Sequence, residues 1–396
     1  MKITDLEVYT VFAFRTNFTF VRLSTDEGIT GIGESTLEIK ERSIEGALGE
    51  LKGVLLGQDP FRIELIWHDL YRDAYWRGGA VLMSALSGID QALWDIKGKY
   101  YGVPVYQLLG GLYRDRIRAY ANGWFSGART PEDFAGKAAS TVAMGYTALK
   151  FDPFGSSYMD ISLKELDDAL AKLQAVREAV GPGVEIMVEG HGRFNVPAAV
   201  TIGRELEKMR GIAWFEEPIP PDDPAALKRV KDQVRVPIAA GERLYSRRPF
   251  LEIVESGAAD YLQPDVSHAG GISELRKIAA IAESRYVPFA PHNPSGPVAC
   301  AATLHLAACI PNFAVLELMA VDVPYRRRIT TEQLRLEDGC LVVPDTPGLG
   351  LELLTENFSE YPYRPVALRH YRGTLTDIRP PEAAPYYEIV TGGDQR

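Results

Sequence analysis

Cysteine is scarce: Cys300, Cys309 and Cys340 are the only three in 396 residues, and their spacing is not that of metal ligands. An odd, sparse set of this kind excludes a disulfide framework and fits a reducing compartment. Basic runs are missing as well. The formal charge is −10 at pH 7, and no stretch of Lys and Arg could track phosphates, so nucleic acid is not an expected partner. No apolar run approaches the length that spans a bilayer, and Met1-Lys2-Ile3-Thr4-Asp5 leads straight into strand-like sequence without a signal peptide. No membrane association and a cytoplasmic location are therefore expected. The glycines at 28, 31 and 33 do not match the G-x-G-x-x-G of a dinucleotide site, and a hairpin turn is the better reading of them.

What the chain does have is apolar content, 46%, over a length too great for one ordinary domain. Residues 2–12 and 18–25 read as strands joined by a loop near Thr16 and Asn17, and Asp26-Glu27-Gly28 turns the chain into a third. From Glu41 to Leu109 the period becomes helical, as in Leu86, Ile89, Leu93 and Ile96 on one face. Strands followed by helices predict an α+β domain over 1–115. Strand-like segments then start near Ile117, Thr147, Val184, Ile212, Val236, Ala259, Val287 and Ala314, with amphipathic runs such as Leu163–Val180 between them. Eight strands alternating with helices close into a barrel, and the loss of helical period after the eighth predicts (β/α)7β over 116–329. Residues 330–396 read as strands and turns returning to the first domain, with a Pro- and Tyr-rich tail on the surface.

One series of residues keeps step with that barrel. Glu189, Glu216, Glu242, Asp265, His292 and Glu317 follow one another at 27, 26, 23, 27 and 25 residues, each at the end of an apolar run. That interval is one strand–helix unit, so all six belong on the rim where barrel enzymes carry their chemistry. Three converging carboxylates, Glu189, Glu216 and Glu242, repel unless a hard cation joins them, and all-oxygen ligation favours magnesium or manganese over zinc. The plainer alternative pairs each with a nearby base, such as Glu242 with Arg243. Asp265 and His292 end neighbouring strands, so Asp265 can hold one imidazole nitrogen and make the other a general base; a merely structural histidine is the alternative. His191, two residues after Glu189, is either a second proton carrier or a hydrogen-bonding support of the ligands. Glu317 is placed to meet a substrate oxygen. Lys150 can neutralise a substrate carboxylate, or pair with Asp152 or Glu189. Glu217 points away from Glu216 and reads as an ion-pair partner. His268 either lines the pocket or supports its loop, and His68, His305 and His370 read as structural.

With Phe215-Glu216-Glu217-Pro218, Gly241-Glu242-Arg243, Gln263-Pro264-Asp265 and Pro291-His292-Asn293 in hand, the chain resembles the enolase superfamily, in its mandelate racemase-like subgroup. The likeness runs from the first strands through Val103–Gly111 to Pro347-Gly348-Leu349-Gly350. It implies an α/β chain with a (β/α)7β TIM-like barrel and an α+β N-terminal capping domain completed by the C-terminal segment. It further implies Mg2+ on Glu189, Glu216 and Glu242, a His292–Asp265 dyad that removes the proton beside a substrate carboxylate, and an enolate. Racemases of the subgroup carry Lys-x-Lys on the second barrel strand, and here the second lysine is Asp152. His191 is similar to the histidine of galactonate- and gluconate-type dehydratases, where it protonates the leaving hydroxyl.

The expectation is a lyase: a magnesium-dependent dehydratase acting on a small acid-sugar substrate, with a homo-oligomeric assembly. Catalytic His292, Asp265, His191, Glu317 and Lys150 would serve it, with loops near Arg15–Phe20 and Tyr75–Gly79 setting specificity. An epimerase or racemase of a 2-hydroxy acid, and a barrel kept only for binding, are the alternatives.

Overall fold

A computed structural model describes residues 1–366 and 377–390, so His370 lies outside the described residues. The chain opens with an antiparallel meander of β1 (Ile3–Ala13), β2 (Thr16–Thr25) and β3 (Thr30–Glu34). The first turn is Phe14-Arg15, earlier than the sequence suggests, because Phe14 takes a left-handed φ of 71° that its residue type does not announce. Helices α1 (Glu41–Leu55), α2 (Ile63–His68), α3 (Gly79–Tyr101) and α4 (Val105–Leu108) follow. The predicted face of α3, with Leu86, Ile89, Leu93 and Ile96, is buried with Val21, Leu23, Ile44 and Leu48. Only Gly28 serves a turn. Gly31 and Gly33 instead let α3 lie against β3: a Cβ on Gly33 would fall 1.9 Å from the Gly88 carbonyl oxygen, and one on Gly31 2.1 Å from that of Ala92.

The barrel strands are β4 (Arg116–Asn122), β5 (Ala148–Phe151), β6 (Glu185–Glu189), β7 (Ile212–Glu216), β8 (Ile238–Ala240) and β9 (Tyr261–Leu262), each parallel to the next. Between them and after them run α5 (Pro131–Val142), α6 (Leu163–Val180), α7 (Val196–Leu206), α8 (Pro224–Lys231), α9 (Arg247–Ser256), α10 (Gly271–Glu283) and α11 (Pro297–Cys309). Their starts are chemically marked: Thr130 with Asp133 and Ser162 with Glu165 form capping boxes, and Asn195 and Asp223 cap α7 and α8. The seventh strand position is the least regular. Pro288 and Pro291 lack N–H groups, so this stretch pairs only through Phe289, with Leu262 on one side and Phe313 on the other. The eighth strand, β10 (Leu316–Met319), pairs with β4 and closes the ring. Among the described residues the only α-helix after it is the one-turn α12 (Arg326–Ile329), which gives the (β/α)7β count. Tyr120, Ala148, Met187, Trp214, Ala239, Ala290 and Val315 fill the interior as one apolar layer. No helix among the described residues is long and apolar enough to cross a membrane.

The later segment does more than return to the first domain. Its hairpin, β11 (Arg335–Glu337) and β12 (Cys340–Val342), does not join the capping sheet but extends the start of β4, with Leu336 and Leu341 fully buried. The part that reaches the capping domain is 348–364: Leu349 donates to Asp95, Pro362 bridges Val11, and Phe358 packs on Tyr9 and Phe20. Residues 377–390 then cross back over the barrel, burying Tyr386 and Tyr387, and end in β13 (Glu388–Val390) beside β11. The described stretch 377–390 is therefore a strap packed on the barrel through Ile378, Arg379, Tyr386 and Tyr387.

Polar contacts seat the capping domain on the barrel rim. Trp67 donates to the Gly270 carbonyl and Gln91 to that of Val266. At the end of β3, Glu34 accepts from the backbone N–H groups of Gly296, Val298 and Ala299, and so caps α11 from another domain. Burial raises the Glu34 carboxyl to about 7, although Thr36 and the backbone donors pull the other way. The native chain thus keeps a proton that the unfolded chain releases near 4.5. This stabilisation is fully present below about 4.5 and is lost as pH rises through about 7. In denaturant titrations from pH 4.5 to 7.5, wild type should lose on the order of 3 kcal/mol relative to Glu34→Gln, which cannot titrate. Parallel pH curves for the two proteins would contradict a protonated Glu34.

Candidate active site

Side chains two apart on a strand share a face, so the residues two positions beyond the apolar layer form the next layer up. These are Asn122, Lys150, Glu189, Glu216, Gln263, His292 and Glu317, following Tyr120, Ala148, Met187, Trp214, Tyr261, Ala290 and Val315. A polar floor thus lies directly on the core at the C-terminal mouth of the barrel. Asp152 stands one step higher on β5, and Glu242 follows β8 after Gly241, whose φ is 139°.

Glu189, Glu216 and Glu242 converge, with one carboxylate oxygen from each lying within 4.8 Å of the others. Lys150 enters from below, its Nζ 2.5 Å from Glu216, 3.2 Å from Glu317 and 3.3 Å from Glu189. Both plain alternatives for Lys150 are thereby narrowed: it pairs with Glu189 among others, not with Asp152. Burial would strip the Lys150 proton, but Glu216, Glu317 and Glu189 outweigh it and keep the ammonium charged. One buried cation does not balance this many carboxylates. Burial and the neighbouring Glu216 push the Glu189 carboxyl well above its ordinary range. For Glu216 burial acts upward too, yet Lys150 holds it below the ordinary value. Arg243 binds Glu217 at 2.5 Å, as the strand alternation at 216–217 predicts, while its charge also acts on Glu242. A small, hard cation fits a set of three oxygen donors left with excess negative charge.

Two histidines face this group, each backed by an aspartate. His292 Nδ1 lies 2.7 Å from Asp265, and its Nε2 lies 3.4 Å from Glu242. His191 Nδ1 lies 2.6 Å from Asp152, which also binds the buried Arg193. His191 sits at a left-handed φ of 49°, with its own N–H on Glu189 at 2.6 Å, so the first carboxylate fixes the turn that carries the histidine. Burial alone would lower the His292 pKa, but with no cation on the carboxylates Glu242, Glu317 and Asp265 raise it to about 10; positive charge beside Glu242 offsets the largest of these and frees Nε2 to accept a proton. His268 both lines the pocket and braces it, 3.1 Å from Ser84 of the capping domain and 3.7 Å from Asp265. Glu317 is wholly buried, held by Asn122 at 2.6 Å and by the Asn293 N–H at 2.9 Å.

A cavity of about 270 Å³ opens above these groups. Its floor and flanks include Lys150, Asp152, Glu189, His191, Glu242 and His292, so most of the predicted residues meet there. Glu216, Asp265 and Glu317 lie just behind. Arg15 and Thr16, from the first predicted specificity loop, line the cavity, whereas the described lining does not include Tyr75–Gly79. Sequence reasoning missed three contributions. Asp152 figured as the residue in place of a second lysine and as a candidate partner of Lys150, but its pairing with His191 was not foreseen. Asn122 occupies on β4 the place that Lys150 has on β5. Ile378 and Arg379 come from an aperiodic stretch that gave no signal at all.

Converging carboxylates that could hold a cation face two aspartate-backed histidines at the barrel mouth. Residues 8–110 match the mandelate racemase/muconate lactonizing enzyme N-terminal domain, and residues 133–357 match the enolase C-terminal domain-like family. A D-galactonate dehydratase of Xanthomonas euvesicatoria pv. vesicatoria is 40% identical over 95% of this chain and 100% of its own length. One from Pectobacterium atrosepticum is 42% identical over 90% of this chain and 93% of its own. Among crystal structures, an enolase superfamily member from Salmonella Typhimurium superposes with a TM-score of 0.86 at 34% identity, covering 91% of this chain and 98% of that one. A mandelate racemase/muconate lactonizing enzyme from Sulfitobacter sp. gives 0.87 at 34% identity, covering 92% and 96%. The chain belongs to the mandelate racemase/muconate lactonizing enzyme family of the enolase superfamily.

The carboxylate group makes a direct prediction. Magnesium alone, titrated into metal-stripped protein, should raise its melting temperature, and Glu242→Gln should weaken that binding roughly 10-fold or more. A melting temperature indifferent to magnesium would remove Glu189, Glu216 and Glu242 from the role of ligands.

Proposed function

We propose that the chain is a magnesium-dependent dehydratase of aldonic sugar acids, with Glu189, Glu216 and Glu242 holding the metal. The observation that carries this reading is the second Asp–His pair: His191 is backed by Asp152 as His292 is backed by Asp265, on the same cavity. The similarity to D-galactonate dehydratases supports an aldonate as the substrate class. When bound, the cation supplies positive charge for the substrate carboxylate and for the negative charge left there as the C2 proton departs.

The chain's own groups do the rest. His292 takes the C2 proton at Nε2, while Asp265 fixes the Nδ1–H tautomer and stabilises the imidazolium that forms. The electron pair from the C2–H bond forms the C2–C3 double bond as the C3–O bond breaks. His191 delivers a proton from Nε2 to the leaving hydroxyl, which departs as water, and Asp152 with Arg193 holds that ring in place. The enol then rearranges to a 2-keto-3-deoxy acid. Lys150 keeps Glu216, Glu317 and Glu189 together beneath the reacting carbons.

The near-equivalence of the two pairs also favours a second reading, in which His191 acts as a base and the protein is a C2 epimerase. Two histidine variants separate the roles. His292→Asn should abolish both dehydration and exchange of the C2 proton in deuterated water. His191→Asn should block dehydration and retain C2 exchange. Normal turnover by His292→Asn would mean that the base has been misassigned. Incubating each C2 epimer of a turned-over acid and following it by NMR decides between the readings. A dehydratase consumes one epimer and accumulates the keto acid, whereas interconversion at a comparable rate identifies an epimerase.

A further inference from the structure

Residues 377–390 lie beyond both family-matched segments, yet they supply part of the pocket wall. Arg379 is only 8% exposed and is fixed on several sides. Its backbone N–H donates to Ser126 Oγ at 3.1 Å, and Ser126 Oγ donates back to the Arg379 carbonyl at 2.9 Å. In the guanidinium, Nη1 donates to the Ile378 carbonyl at 2.8 Å, Nη2 contacts the Pro294 carbonyl at 3.4 Å, and Nε lies 3.0 Å from Asp322. A guanidinium has five N–H bonds, so these contacts leave two donors on a side chain that lines the cavity. Arg15, in the β1–β2 turn, is the second such group. It lies 3.8 Å from Glu38, and its buried Nε has no hydrogen-bond partner among the described residues.

Among the described residues, the charges on this wall are balanced. Asp322 is shared between Arg379 and Arg326, and Arg326 also binds Glu332, giving two guanidiniums and two carboxylates. Arg15 has Glu38. The other cations on the cavity, Lys150 and Arg243, are held by Glu216 and Glu217. A second substrate carboxylate would lose its water here without meeting uncompensated positive charge, which is costly. Hydroxyls fit: they accept from the Arg379 and Arg15 N–H groups and donate to Glu38.

Building on the dehydratase reading, we propose that Arg379 and Arg15 form a distal hydroxyl-binding wall. They make the enzyme select acids whose far end is a neutral polyol, with Arg379 of the strap as a specificity-determining residue. Binding energy from such remote hydroxyls is expressed at the reacting carbons, so it should show in kcat as well as KM.

The test compares kcat/KM for a six-carbon aldonate, the matching six-carbon aldarate and three-carbon 2,3-dihydroxypropanoate. The proteins are wild type, Arg379→Lys and Arg15→Gln, each checked by thermal melting. Wild type should prefer the aldonate to the aldarate. In Arg379→Lys the preference for the six-carbon over the three-carbon aldonate should fall roughly 10- to 100-fold, because a charged group has lost its fork of hydrogen bonds. A preference ratio unchanged in a normally melting Arg379→Lys overturns the proposal, as does an aldarate turned over better than the aldonate. If Arg379→Lys does not melt cooperatively, an unchanged ratio in Arg15→Gln overturns it instead. A wild type that dehydrates none of these acids removes the dehydratase reading. The wall then stands only if Arg379→Lys weakens calorimetric binding of the six-carbon aldonate more than that of the three-carbon acid.

Discussion

Carboxylates pressed together inside a protein are the constraint on which this structure depends. Glu189, Glu216, Glu242 and Glu317 crowd one end of a barrel, and among the described buried cations only Lys150 reaches into them. A fold that tolerates such a cluster must hold it rigidly, because relaxation would scatter the like charges. The parallel strands do this by spacing the side chains, and Trp214 and Gln263 do it by donating to Glu216 at 2.8 Å and 2.7 Å. The excess negative charge makes the site hungry for a cation. The histidines on either side depend on the same cluster: the N–H of His191 hangs on Glu189, and Nε2 of His292 lies beside Glu242.

Much of this was legible because a parallel barrel turns sequence distance into position on a ring. Glu189, Glu216, Glu242, Asp265, His292 and Glu317 could be placed on one rim from their interval alone, since each strand–helix unit has nearly constant length. Legibility failed where the signal is not periodic. Pairing between Asp152 and His191 spans 39 residues and two strands, and nothing local in either segment announces it. The seventh strand, expected from near Val287, is interrupted by Pro288 and Pro291 and forms bridges only at Phe289. Glycines 31 and 33 were read as turn formers, although the requirement they meet comes from a helix more than fifty residues away.

The capping domain and the strap show why a barrel alone would not suffice. Barrel strands place reacting groups at the mouth but leave the space above them open to water. Glu34, Gln91 and Trp67 fasten one cover to the rim. The segment 377–390 provides another, anchored through Ser126 and Asp322. Both covers reach the stretch just after His292: Glu34 holds Gly296, and Arg379 contacts Pro294. The loop bearing one histidine is thus gripped from two parts of the chain far from the barrel strands.

The stacking of a polar floor on an apolar layer has a further consequence, for how such a chain can change. Alternate residues of each strand carry separate duties, with Ala148, Met187 and Trp214 packing the interior, Lys150 and Glu189 lining the pocket and Glu216 just behind them. Substitutions in the upper layer can therefore alter proton chemistry while leaving the volume filled below them intact. Asp152 is one layer higher still, free of the interior altogether, and its identity decides whether β5 offers a lysine or a support for His191. Reaction type in this architecture is written in a register the core does not read, which lets new chemistry arise without refolding the scaffold that carries it.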